Sequence, residues 1–562
     1  MNTEIMGVFA AFIITILLAY PLGKYMTKVF KGEKVWTDFL SPVEKLIFRL
    51  SGVDPDKKMD WKENLKSMLM INLFFFIWAY LLLLIKHPFM NPMNIGSMEA
   101  ALAFNTAASF VSNTNLQHYS GETGASYFAQ VFILMFLQFV SAATGIASAS
   151  ILFKGLSQRQ ASDLGNFYNL LVKSVTRILL PISFVLALVL LLNGSPMTFS
   201  GAKEIVTLQG ESVKVATGPV APMIAIKHLG TNGGGFFGAN SSHPFENPNY
   251  LTNMLEVITE LLIAIGLVFS FGFYLGKKKL GILLFGVMTI FFISFSSLAI
   301  HWESRGNPLI DNLSISQNAG NMEGKEVRFG AAASAYFGTA STATSTGAVN
   351  SMHDSFMPLS GGIFLIDMMI NAIYGGVGVG FLNFFVYLVV AVFIAGLMVG
   401  RTPELLGKKI EAKEIKIAAI VLLIHPLLIL TGTAIAAHIS AVNPSVGWVH
   451  NPGYHGFSEM LYEFTSASAN NGSGFEGLGD NTNFWNIMCG AVMLLARFIP
   501  IIGPVSIAGM LAKKKTIPES AGTLRIDSAT FGVVLISVIV IVAALSFFPA
   551  LALGPVAEFF SI

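Results

Sequence analysis

Thr231-Asn232-Gly233-Gly234 is a short polar tract set between two apolar stretches, and three more of its kind follow the same rule: Ser112-Asn113-Thr114-Asn115, Ser345-Thr346-Gly347-Ala348 and Asn470-Asn471-Gly472-Ser473. Placing Thr114, Gly233, Gly347 and Gly472 in one column leaves intervals of 119, 114 and 125 residues, the quasi-period of a repeated structural unit. Three lead-ins repeat as well, Phe104-Asn105-Thr106-Ala107-Ala108, Phe337-Gly338-Thr339-Ala340-Ser341 and Phe464-Thr465-Ser466-Ala467-Ser468, whereas Ile226-Lys227-His228-Leu229-Gly230 departs from them. One polypeptide is expected to fold four quarters of a single ion filter.

Outward from the tracts, the chain is apolar. Hydrophobic residues make up 54% of its 562 positions and charged residues 12%, about half the charge of a soluble protein. The expected class is therefore an all-α polytopic membrane protein. Ten stretches can cross about 30 Å of hydrocarbon as helices: 5–25, 67–86, 126–153, 176–193, 254–275, 280–300, 362–398, 416–438, 484–511 and 529–552. Glu4 precedes the first and Lys24, Lys28, Lys31 and Lys34 follow it, the charge order of a retained helix with its N-terminus outside rather than of a cleaved signal. Ten crossings return the C-terminus outside and put 26 of the 34 Lys and Arg residues on the cytoplasmic side, seven on the other and Arg497 within a span. The lone cysteine, Cys489, excludes an internal disulfide and reads as a small buried hydrophobe.

Setting aside the first and last spans leaves eight, which the tracts divide into four span–pore-loop–span repeats in pseudo-fourfold arrangement. The expected boundaries are 1–66 for the first helix and a cytoplasmic loop, 67–153, 176–275, 280–400 and 416–511 for the four repeats, and 529–562 for the last helix. Each tract follows a segment of about ten residues rich in small and hydroxyl side chains, such as 103–110 and 334–343. Such segments suit half-membrane re-entrant helices, since non-helical backbone at membrane depth survives only where protein buries it or a watery path solvates it. The polar stretches 194–220 and 301–330 read as solvated outer loops.

The chemistry of the tracts points to potassium, a large, weakly hydrated cation whose water shell a ring of carbonyl oxygens can replace. The candidate filter residues are Ser112, Asn113, Thr114, Asn115, Thr231, Asn232, Gly233, Gly234, Ser345, Thr346, Gly347, Asn470, Asn471 and Gly472. Glycine lets the backbone reach φ > 0 without a Cβ clash, hydroxyls and amides hold the unusual backbone, and the C-terminal dipole of each half-helix favours a cation. Thr114 breaks the glycine column. Below the filter, Gly375, Gly376, Gly378 and Gly380 make a gating loop the expectation over a continuous helix, and Arg497, near Pro500 and Pro504, would sit in a polar cavity. Glu122, Glu246, Asp354, Glu476 and Asp480 lie beside the tracts as a vestibule that concentrates cations, with His243 and His353 in hydrogen-bonded structural roles. His353-Asp354-Ser355 is no hydrolase signature, because a triad is assembled in space and not by contiguity. An intramembrane enzyme is accordingly rejected.

Longer strings carry a resemblance. Thr231-Asn232-Gly233-Gly234-Gly235-Phe236-Phe237, His243-Pro244-Phe245-Glu246-Asn247-Pro248, Thr346-Gly347-Ala348-Val349-Asn350-Ser351-Met352-His353-Asp354-Ser355 and Gly400-Arg401-Thr402-Pro403-Glu404 resemble the motifs of the KdpA family, potassium-binding subunits of the bacterial Kdp complex. The likeness runs over essentially the whole chain. It implies a potassium transporter fold of four repeats, K+ as the transported ion and the only metal, a bacterial plasma membrane location, and work beside KdpB, a P-type ATPase subunit, with KdpC and KdpF. It also points to 375–380 as a gate. The chain itself has neither an Asp-Lys-Thr-Gly phosphorylation motif nor a Gly-x-x-x-x-Gly-Lys-Ser/Thr loop, so no nucleotide is expected on it and no catalytic site of its own. The alternative is a stand-alone K+ channel or ion-coupled transporter of Trk/Ktr type.

Overall fold

The structure is a computed structural model and describes residues 3–311, 313–398, 400, 402–517 and 525–562. Arg401 of the fourth family-like string lies outside the described residues. Ten helices among the described residues are long and apolar enough to cross a membrane: Glu4–Lys31, Trp61–Leu83, Ala129–Ser157, Phe167–Leu192, Tyr250–Tyr274, Lys278–Ile310, Val379–Met398, Ala412–Val442, Asn483–Ala512 and Ala529–Ser561. We number these spans 1 to 10. Polar caps start several of them: Asp60 accepts the amides of Lys62 and Glu63 ahead of span 2, and Asn249, Thr482 and Ser528 cap spans 5, 9 and 10. A side-chain acceptor there satisfies backbone donors that the helix leaves unpaired.

Four shorter helices precede the polar tracts: Ala100–Val111, Val220–Leu229, Ala331–Ala343 and Tyr454–Ala469. Their residues are buried almost throughout. These pore helices pack inside the spans of their own repeats, the first against span 2, the second against spans 4 and 5, the third against span 6, the fourth against spans 8 and 9; the first also leans on span 9, which links repeat 4 back to repeat 1. Span 1 lies along span 5, and span 10 packs against spans 6 and 7.

Some boundaries differ from the sequence reading. The apolar stretch 362–398 is not one helix: Pro358–Ile370 stops at Asn371, whose φ is 47°, and the chain resumes helix only at Val379. Between them Tyr374, Gly375 and Gly378 also take positive φ, which an α-helix cannot contain. Span 2 begins at Trp61 and span 4 at Phe167, earlier than hydropathy alone suggests, because Lys62, Glu63 and Lys66 in the one and Asn169, Lys173 and Arg177 in the other dilute the signal. Among the described residues, strand is confined to two small hairpins, Lys203–Val206 with Ser212–Val215 and Glu404–Leu405 with Lys408–Lys409. The first is exposed, as expected of a solvated loop, but the 301–330 stretch hides a fully buried Lys325–Glu303 pair at 2.9 Å.

Candidate functional site

Each pore helix ends by turning its chain through one residue at positive φ: Asn113 (64°), Thr231 (45°), Ser345 (48°) and Asn470 (53°). The amide of the next residue then bonds back five positions, Thr114 to Ser109 O (2.9 Å), Asn232 to Lys227 O (2.8 Å), Thr346 to Ser341 O (2.9 Å) and Asn471 to Ser466 O (2.9 Å). One residue further, φ is positive again at Asn115 (55°), Gly233 (84°), Gly347 (82°) and Gly472 (109°). The structural column is therefore Asn115, Gly233, Gly347 and Gly472. This corrects the alignment that placed Thr114 beside the glycines; Thr114 matches Asn232, Thr346 and Asn471 instead. Asparagine is the non-glycine residue best suited to a left-handed backbone, which is why the first quarter keeps the shape without a glycine.

The four tracts close into a ring. A Cβ on Gly233 would overlap the Thr346 carbonyl oxygen, one on Gly347 the Asn471 carbonyl oxygen, and one on Gly472 the Thr114 carbonyl oxygen. Each glycine thus admits the carbonyl of the next quarter. At the remaining junction Asn115 does have a Cβ, and Gly234 gives way, its own Cβ position lying 2.8 Å from Asn115 Cβ. Asn113 Nδ2 donates to Thr231 O (2.9 Å), and Asn232 Nδ2 donates to Asn113 Oδ1 (2.7 Å), knitting quarters one and two. Asn470 Nδ2 donates to Thr114 Oγ1 (3.0 Å), and Asn471 Nδ2 to Ser341 O (2.9 Å). Hydroxyl pairs at 2.7 Å, Ser112 with Thr114 and Thr344 with Thr346, brace quarters one and three. The fourteen candidate filter residues lie in these four tracts, where the Asn, Ser and Thr side chains named above make bracing bonds.

The chain from 371 to 378 passes beneath the ring. The Gly375 amide donates to Ala343 O (3.0 Å), and the Val377 amide to Thr231 Oγ1 (2.9 Å). On its other side a Cβ at Gly378 would overlap Gly145 O, and one at Gly375 would overlap Gly380, so these glycines permit close backbone contact between the loop, span 3 and span 7. Arg497 is buried below, 3.3 Å from the Cβ position of Gly145, with Nη2 donating to Ser141 O at 3.2 Å. No carboxylate among the described residues makes an ion pair with it.

Buried charges stand behind the ring, among them Glu246, which the sequence places in the vestibule, and others it gives no role, Lys227, His228, Glu256 and Glu260. Lys227 and Glu246 form a fully buried pair at 2.7 Å, and Glu246 also accepts the Phe237 amide at 2.8 Å. Glu246 is therefore a buried partner of the second pore helix and not part of an open vestibule. His228 Nε2 lies 3.0 Å from Glu256 Oε2, and its Nδ1 3.8 Å from Glu260 Oε2, all three buried completely. Glu256 and Glu260, four apart in an otherwise apolar span, were the signal available in the sequence. On the opposite side His118 bonds to Glu463 (2.9 Å) and Asn486 (2.8 Å); burial alone would depress it, but Asp480 and Glu463 pull it up to about 9. Glu122 accepts the Gly238 amide, Glu476 the Asp354 amide, and Asp354 bonds to His455 at 2.9 Å. His353 is buried beside Tyr462 OH (2.9 Å), and desolvation pushes it down to about 3. His243 stacks on Phe237 with ring centroids 3.7 Å apart.

The family model for KdpA, described as potassium-transporting ATPase A subunit, matches residues 9–560. The chain belongs to the KdpA family. Relatives named potassium-transporting ATPase potassium-binding subunit are 56% identical in Flavobacterium johnsoniae, over all of both chains, and 50% identical in Alicyclobacillus acidocaldarius, over 98% of each. Among solved structures, the potassium transporter TrkH from Vibrio parahaemolyticus matches with a TM-score of 0.52 at 14% identity, covering 87% of this chain and 96% of that one. That likeness shows a fold shared by this chain and TrkH.

Proposed function

We propose that this chain takes up K+ from the outside through the ring of four tracts and passes it on for ATP-driven, high-affinity uptake by a Kdp complex. The observation that carries the reading is the closed ring itself, in which Thr114, Thr346 and Asn471 carbonyls nest against the glycines of neighbouring quarters. Rings of carbonyl oxygens are how proteins replace the hydration shell of potassium. The A-subunit family assignment supports the division of labour: KdpB supplies the P-type ATPase, KdpC and KdpF complete the complex, and this chain binds no nucleotide and catalyses nothing alone. The four repeats are assigned to 67–153, 176–275, 280–400 and 416–511, the loop holding Gly375, Gly376, Gly378 and Gly380 serves as the gate, and Arg497 tunes how strongly K+ is held beneath the filter. Both termini face outward from the plasma membrane.

The likeness to TrkH supports a second reading, a stand-alone K+ channel or ion-coupled transporter. Copurification in mild detergent followed by an ATPase assay separates the two. K+-stimulated hydrolysis by a copurifying P-type subunit supports the Kdp reading, whereas uptake by the single chain under a proton or sodium gradient would replace it.

A further inference from the structure

Trp36, Phe39, Val43, Leu46, Ile47 and Leu50 stand on one side of two consecutive short helices, Trp36–Leu40 and Ser41–Ser51, and are between 38% and 79% exposed. Their spacing of 3, 7, 10, 11 and 14 residues from Trp36 is that of a single apolar helical stripe. Thr37 and Glu44 face the protein instead, together with Phe48. Glu44 is buried and holds Arg177 through Nε (2.6 Å) and Nη2 (2.7 Å), and it accepts from Thr176 Oγ1 at 2.8 Å. Thr37 is buried against Tyr25, whose hydroxyl also donates to Arg177 O at 2.7 Å. A soluble surface helix would present the reverse arrangement.

The depth of these anchors decides what covers the stripe. Tyr25 lies six residues before the end of span 1 at Lys31, about 9 Å along the helix at 1.5 Å per residue. Arg177 is followed in span 4 by only the 178–192 run before the helix ends, about 22 Å of length against roughly 30 Å of hydrocarbon. Arg177 therefore sits at or inside the hydrocarbon boundary, and the helix docked on it does too. The two spans that hold these anchors also expose apolar side chains, Leu180 and Phe184 on span 4 and Leu17 and Leu18 on span 1. Lys45 and Arg49, one turn apart and exposed, flank the stripe where headgroups would lie.

We propose that residues 36–51 form an in-plane helix immersed in the bilayer leaflet on the side away from the filter tracts, with lipid acyl chains as the occupant of its apolar stripe. Amphipathic helices with basic flanks take this position when their apolar face can reach the acyl boundary. Here the Glu44–Arg177 link fixes that depth. The inference rests on the ten-span fold and not on which ion is carried.

Cys489 is buried, so a single introduced cysteine can carry a spin label. Nitroxides on Leu46→Cys and Leu50→Cys, with Lys45→Cys as the flank control, would be measured in liposomes for collision with oxygen and with a water-soluble nickel chelate, in the chain alone and in its copurified assembly. Oxygen should exceed nickel several-fold at 46 and 50 in both preparations, with the ratio falling at 45. Nickel access at 46 and 50 equal to that at 45 would overturn the proposal, as would shielding from both reagents in the assembly, which would mean that a protein partner covers the stripe. Should the labels disturb folding, quenching by brominated-chain lipids, compared between the unmodified chain and Trp36→Phe, reads the same contact: loss of a quenched component in the variant supports immersion, and no change refutes it.

Discussion

Gly233 and Gly347 combine two demands that no other residue meets, a backbone at φ 84° and 82° and space for the neighbouring quarter's carbonyl where a Cβ would be. Gly233→Asp or Gly347→Asp should therefore cost at least tenfold in apparent K+ affinity and blunt discrimination against rubidium, read from the ion dependence of ATPase activity in the assembled complex; unchanged K+ and rubidium curves would remove these tracts from the filter. The corrected register adds a sharper comparison. Asn115 holds the same left-handed position with a side chain in place, its Oδ1 accepting from Gln138 Nε2 at 3.2 Å. Asn115→Gly should shift apparent affinity by less than about threefold, roughly the loss of one hydrogen bond, while Gly233→Asn should be far worse. Equal losses in the two would show that the first quarter is not built as the structure has it. That register was not legible in the letters, since Thr114 and Asn115 are both plausible neighbours of a glycine column until backbone angles distinguish them.

At the scale of elements, the segment between Ile370 and Val379 is non-helical backbone tied to the ring and its pore helices: the Gly375 and Val377 amides donate to Ala343 O and Thr231 Oγ1, Ser345 Oγ donates to Asn371 Oδ1 (3.1 Å), and Asn371 Nδ2 donates to Ala469 O (3.4 Å). Removing two of its residues, or rigidifying it with Gly376→Ala, whose added Cβ would meet nothing closer than 3.6 Å, should lower K+ flux by about an order of magnitude while equilibrium K+ binding persists; parallel losses in uptake and binding would instead assign the glycines to packing. A second element-level test concerns the tether between the fourth pore helix and the end of span 10. His455 donates to Asp354 at 2.9 Å and to Glu558 at 2.7 Å, and although burial opposes its charge, these partners hold it up to about 10 from an ordinary 6.5. A folded value above the unfolded one stabilises fully below the unfolded value and fades as pH rises through the folded one. His455→Gln should thus lower the melting temperature near pH 6 by on the order of 1–2 °C, with the gap to the unmodified protein closing by about pH 10. A gap that stays constant across that window would mean that the imidazolium contributes nothing. The glycine density announced this loop from sequence, but its contacts with spans 3 and 7 were set by packing that no local pattern encodes.

For the whole molecule, selectivity and energy supply are expected to reside on different chains. A binding site shifts populations only by its differential affinity for two states, so a filter without an alternating partner cannot drive uphill movement. The purified chain in liposomes, supplied with ATP and no ion or voltage gradient, should bind K+ and accumulate none; net accumulation would refute the split. The sequence by itself determined the membrane class, ten spans, four pore segments and the polar tracts, because hydrocarbon demands helices of a set length and apolar content and tolerates free backbone only where something polar meets it. Those are local rules, readable along one dimension. Only the tertiary structure decided that Asn115 takes the glycine slot, that repeat 4 closes onto repeat 1, that Glu246 is sealed against Lys227 rather than open to solvent, and that the stripe from Trp36 to Leu50 faces outward. Each is a choice among partners remote in sequence, made by whichever donor, acceptor or apolar surface lies within a few ångströms once the spans have packed.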